Sequence, residues 1–158
     1  MPASAPDQIS PLVTWGLVVV GWVAVHYLTS VRERQKEIRE LVGKLLETIA
    51  SLERASVAFH SAPAFDQVKA YELTSTIASI RRRLTSQPLS KLQVSPDRIL
   101  KLRRAVTLDN FDVKNFSSQA PTSPLIQGIL AICEDVTISI EQAYARRYLL
   151  SWWQSFRI

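Results

Sequence analysis

Between Asp7 and Arg32 the chain runs 24 residues without a charge, through PLVTWGLVVVGWVAVHYLTS, and VRERQKEIRE follows directly. Residues 11–30 are predicted to be a transmembrane helix. Its apolar core from Leu12 to Leu28 covers roughly 25 Å at the helical rise, and the uncharged shoulders extend it towards the ~30 Å of a hydrocarbon layer. Trp15 and Tyr27 lie near opposite ends, where amphipathic rings favour the headgroup level, and Trp22 lies deeper. Past the span the pattern changes. Val31, Ile38, Val42, Leu45, Ile49, Leu52 and Phe59 alternate in steps of mostly four and three, with charged residues on the other face, which predicts an amphipathic helix over about 31–61. Ser30 and Glu33 match a capping box, but no proline or glycine supports a stop there. The span and this helix are therefore expected to be continuous.

Pro63 ends that helix. A second is expected at about 64–86, where Ala70, Leu73, Ile77, Ile80 and Leu84 repeat at helical spacing before Gln87-Pro88 stops it. Ser95-Pro96-Asp97 signals a third over 96–108, with Ile99, Leu102 and Val106 on its apolar face. Residues 109–123 read as a loop docked through Phe111 and Phe116. Ser123-Pro124 opens the last helix, expected over 124–157, with Ile126, Ile129, Cys133, Val136, Ile140 and Ala143 as its stripe. No segment sustains a two-residue alternation. The predicted fold class is all-α: a disordered outside tail at 1–10, one N-terminal transmembrane helix, and a cytoplasmic antiparallel helical bundle at 31–158.

Charge gives the direction. The ten N-terminal residues hold no Lys or Arg, whereas Arg32, Arg34, Lys36, Arg39 and Lys44 follow the span. The positive-inside rule puts the N-terminus outside and the rest in the cytoplasm, on the cell inner membrane. A cleaved signal peptide is disfavoured because MPASAPDQIS lacks a basic region. If the helices alternate direction, Arg81–Arg83 return towards Arg32 and Arg34. The last helix then brings Arg146, Arg147, Trp152, Trp153 and Phe156 to the inner leaflet, in competition with core capping by the tryptophans. The expected membrane-interface residues are Trp15, Tyr27, Arg32, Arg34, Trp152 and Trp153.

Candidate chemistry is sparse. Cys133 stands alone and only His26 and His60 occur, so no zinc set assembles at normal spacing. His26 reads as a snorkelling imidazole, Cys133 as a small buried hydrophobe. Glu134 and Asp135 are adjacent and point to different helix faces. Asp109 and Asp112 lack the spacing and glycine of a calcium loop. Gly16 and Gly21 miss the four-residue spacing of close helix pairs. Gly43 and Gly128 stand singly in helical patterns, so no phosphate-cradling loop exists. No catalytic residue, metal or cofactor is expected. Nucleic acid is disfavoured because aromatic residues do not interleave with the basic runs Arg81–Arg83 and Lys101–Arg104.

The span followed by VRERQKEIRELV and a helical hairpin resembles small single-pass bacterial inner-membrane proteins with a cytoplasmic helical domain, over the first ~90 residues. The resemblance implies a location and transfers no activity or site residue. The expected function is a non-enzymatic, membrane-anchored interaction or scaffold module. Its partners are the bilayer and either a second copy or a membrane or cytoplasmic protein. Ile38, Val42, Leu45, Ile49 and Leu52 form the interaction stripe, packed within the protomer or against a partner. The alternative is a membrane-disrupting effector, toxin or holin-like, whose span oligomerises on a trigger.

Overall fold

The computed structural model describes residues 11–149. They are helical apart from the connections, the longest of which is the loop 108–123, with no strand among them. The order is α1 (Pro11–His60), α2 (Gln67–Thr85), a 3-10 turn (Leu89–Leu92), α3 (Pro96–Thr107) and α4 (Pro124–Tyr144), closed by a π-helical turn (Ala145–Leu149). The chain divides between Glu37 and Ile38 into two units.

The first unit contains the start of α1. The uncharged stretch and the helix that follows it are one continuous element, as expected, because no cap interrupts the helix. Thr29 and Ser30 donate their hydroxyls back to the carbonyls of Val25 and His26, at 2.8 and 3.0 Å. A serine bonded one turn back is a helix-interior serine, so the capping-box match of Ser30 and Glu33 marks no helix start. Among the described residues no helix is long and apolar enough to cross a membrane. Trp15, Gly16, Gly21, Trp22, His26, Tyr27, Thr29 and Ser30 dilute the valines and leucines of this stretch. The first part of the uncharged run, 8–10, lies outside the described residues, as does the 1–10 tail.

The second unit is built around one apolar core. From α1 come Ile38, Val42, Leu45, Ile49, Leu52 and Phe59; from α2, Ala70, Leu73, Ile77, Ile80 and Leu84. Leu89 and Leu92 of the 3-10 turn, Ile99, Leu102 and Val106 of α3, and Ile129, Cys133, Val136 and Ile140 of α4 complete it. Periods of three and four put each set on one face, and burial of that face is the main force holding the helices together. The stripe begins at Ile38, since Val31 belongs to the first unit and is exposed. Ala143 is half-buried. Outside the core, Arg98 of α3 forms an ion pair with Asp135 of α4.

Helix ends differ from expectation in three places. The second helix starts at Gln67, three residues late, because Asp66 caps it and accepts from the backbone N–H groups of Val68 and Lys69 at 3.0 and 3.1 Å. Ser95 precedes α3 without a side-chain capping bond, so Pro96 at the first turn supplies the start signal. Ser123 does cap α4, accepting from Ile126 N–H at 3.3 Å. The helix of α4 gives way to the π-helical turn at Ala145, and the expected continuation over 150–157 lies outside the described residues.

Gly43 and Gly128 are exposed in helix interiors, and a Cβ at either meets no atom within 4 Å. Neither position needs glycine. Gly43→Ala is expected to stabilise the second unit by about 0.5–1 kcal/mol, seen as a higher urea midpoint with an unchanged slope.

Candidate functional site

Two features of the second unit gather polar chemistry. The first is a buried node at the end of α1. His60 and Asn110 are only 1% and 2% exposed. The His60 Nε2–H donates to the carbonyl of Val106 at 3.0 Å, which leaves Nδ1 to accept from the Asn110 amide at 3.3 Å. A carbonyl only accepts, so this arrangement selects the neutral Nε2–H tautomer. Asn110 also donates to Ser117 O at 2.9 Å, and its own Oδ1 accepts from Ser117 N–H at 2.8 Å. Gln119 N–H donates to His60 O at 2.8 Å. Phe59 packs beside this node, with Phe65, Phe111 and Phe116 rings at 5.5, 5.2 and 5.4 Å. The node therefore straps the 109–119 loop onto α1. Its groups bond one another within the fold, which is the signature of a structural lock and not of an open reaction centre.

Burial lowers the His60 pKa from its ordinary 6.5, partly offset by the bond to Val106 O. The folded protein thus binds the proton less readily than the unfolded chain. Stability is full above about pH 6.5 and falls as pH drops below that value towards the lowered folded pKa. Urea midpoints are expected to fall between about pH 7 and pH 5, and His60→Gln should flatten that dependence. An unchanged slope in the variant removes His60 as its source.

The second feature is a cleft of about 740 Å³ between α2 and α3. Ile77, Ala78 and Leu84 from α2, Val94, and Ile99 and Leu100 from α3 form its apolar lining. Leu100 stays 46% exposed. Arg81, Arg82 and Arg103 stand in the lining, with Asp97 as its one carboxylate among the described residues. Among the described residues none of these three arginines forms an ion pair. The arginines are brought together by the spacing of two helices. Residues 81–104 carry eight Lys and Arg against Asp97 alone, while the rest of the chain holds eleven basic and thirteen acidic residues. The net charge of +5 is thus concentrated in one segment. A second, polar hollow of about 480 Å³ adjoins Val94 and includes Lys91, Arg98 and Arg146.

The residues singled out from sequence fall into three groups. Ile38, Val42, Leu45, Ile49 and Leu52 are all buried in the core of the second unit, so their surface is occupied within the protomer. Trp15, Tyr27, Arg32 and Arg34 are exposed on α1. Trp152 and Trp153 lie outside the described residues, with Phe156. Trp22 and His26 stack at 5.5 Å with nearly parallel rings. Cys133 is buried, and burial, with a contribution from Glu53, pushes its thiol up to about 12. A thiol held protonated is a poor nucleophile. No group of three or more His, Cys, Asp or Glu able to hold a metal occurs among the described residues.

No protein-family model, curated protein or solved structure matches the chain.

Proposed function

We propose that the chain is a membrane-anchored helical interaction module, held at the cell inner membrane by the first part of α1, with the second unit on the cytoplasmic side as the working domain. One observation carries this. Twelve large apolar or aromatic side chains between Val13 and Val31 are exposed, from 37% at Val31 to 70% at Trp15. They are not on one face. Leu17, Val18, Val19 and Val20 are consecutive, and at 3.6 residues per turn they sweep about 300° of the helix surface. An amphipathic partner groove covers one side of such a helix, whereas lipid covers all of it. The second unit has its own core and does not use these residues.

The basic flank at Arg32, Arg34, Lys36 and Arg39 supports the orientation with the second unit inside. The chain's partners are the bilayer and a protein or second copy recruited by the second unit, with no catalytic step and no cofactor. Flotation of the purified chain with lipid vesicles tests the anchor. Co-migration with the vesicles at high salt is expected, because apolar insertion is not screened. Recovery of the chain free of lipid would remove the anchor.

A further inference from the structure

We propose that the cleft between α2 and α3 receives an acidic amphipathic helix of a partner protein, with apolar side chains on its Leu84–Leu100 lining and carboxylates against Arg81, Arg82 and Arg103. The floor sets the first requirement. Leu100, which is exposed, and half-buried Val94 offer apolar surface to solvent, over the buried Ile77 and Leu84, in a volume of about 740 Å³. That is room for several side chains of a helix presenting residues at i, i+3, i+4 and i+7, the spacing by which helices fill grooves. The arginines set the second. Their guanidinium groups have no ion-pair partner among the described residues, and the segment that holds them carries most of the basic excess of the chain. A guanidinium beside apolar surface favours a carboxylate on the edge of an amphipathic ligand, by bidentate hydrogen bonding.

Other anionic occupants fit less well. A nucleic-acid strand needs stacking platforms beside its phosphates, and among the described residues no aromatic one lines the cleft. A flat headgroup surface engages protruding basic side chains and leaves a recessed apolar floor unfilled. The occupant therefore has to be both apolar and acidic, and narrow enough to lie between two helices.

The need for a partner rests on the interaction-module reading above, but the test does not depend on membrane insertion. The full chain in zwitterionic nanodiscs is titrated with a labelled sixteen-residue helical peptide bearing leucines at i, i+3, i+4 and i+7 and glutamates elsewhere. A lysine counterpart and empty discs serve as references. If the chain does not enter the discs, the anchor fails while the same titration proceeds in buffer. The glutamate peptide is expected to bind, the lysine peptide not. Arg81→Glu with Arg103→Glu should weaken binding about tenfold or more, and added salt should weaken it in the parent. Leu100→Asp should weaken it independently, with circular dichroism showing that both variants remain folded. Equal binding of the two peptides, absence of binding by both, or indifference to Arg81→Glu/Arg103→Glu overturns the proposal. So does binding of phosphatidylglycerol vesicles that depends on these arginines in place of peptide binding. Peptide binding that appears only after Trp152→Ala/Trp153→Ala also overturns it, by showing that the chain's own C-terminal segment occupies the cleft.

Discussion

Replacing Phe59 with alanine is expected to destabilise the second unit by about 3–5 kcal/mol, a large part of what a domain of this size has available. The side chain is fully buried. Its ring touches Phe65 in the connection after α1, and Phe111 and Phe116 in the loop after α3, all with centroids within 5.5 Å. Alanine there removes one packing partner from three other rings at once. The cavity cannot close easily, because His60 beside it is fixed to Val106 and Asn110. The loss should appear in two observables. Urea unfolding should shift to a markedly lower midpoint, and amide exchange in residues 110–119 should speed up before the helices open. Phe59→Leu keeps most of the volume and is expected to lose much less. If Phe59→Ala left exchange in the loop unchanged, the aromatic cluster would not be what holds it.

The second large effect concerns the first unit. Val19→Arg together with Val20→Arg places two permanent charges at the middle of the uncharged run. Each arginine at a helix centre costs about 2.5–3.5 kcal/mol on insertion scales. Two together amount to roughly four orders of magnitude in partitioning, enough to move the chain from vesicles to the aqueous fraction. Val19→Ala with Val20→Ala keeps the helix uncharged and is expected to stay with the vesicles. The second unit should remain folded in both, since its core takes nothing from residues 19 and 20. Vesicle association that survived both arginines would mean that the attachment lies elsewhere in the chain.

How far these features could be read in advance depended on their range along the chain. The core faces of α2 and α3 were legible because Ala70, Leu73, Ile77, Ile80 and Leu84, and Ile99, Leu102 and Val106, declare their side by spacing alone. The docking of Phe111 and Phe116 was legible for a similar reason: two aromatic residues in a polar loop have only the core to go to. The start of α2 was not, because Pro63 drew the boundary to Ala64 while Asp66 holds the capping bonds. The His60–Asn110 lock joins residues 50 apart, and no local pattern announces such a pair. The cleft was equally hidden. Arg81–Arg83 and Lys101–Arg104 stand in the sequence as two separate basic runs without interleaved aromatics, and only the packing of α2 beside α3 sets Arg81, Arg82 and Arg103 around one apolar floor.

The uncharged stretch proposed as the anchor is the reverse case. It was the plainest signal in the chain, yet its meaning depends on a solvent that the fold of the second unit does not involve. Its own tryptophans can report that solvent. Variants that keep one tryptophan each, Trp15 or Trp22, with the other three changed to phenylalanine, are to be reconstituted in vesicles of lipids brominated at defined depths. Trp22 fluorescence is expected to be quenched most by bromines deep in the acyl chains, Trp15 by bromines near the headgroups, and neither strongly by acrylamide in the water. Strong acrylamide quenching of Trp22 with no effect of brominated lipid would contradict the anchor, and with it the proposed function.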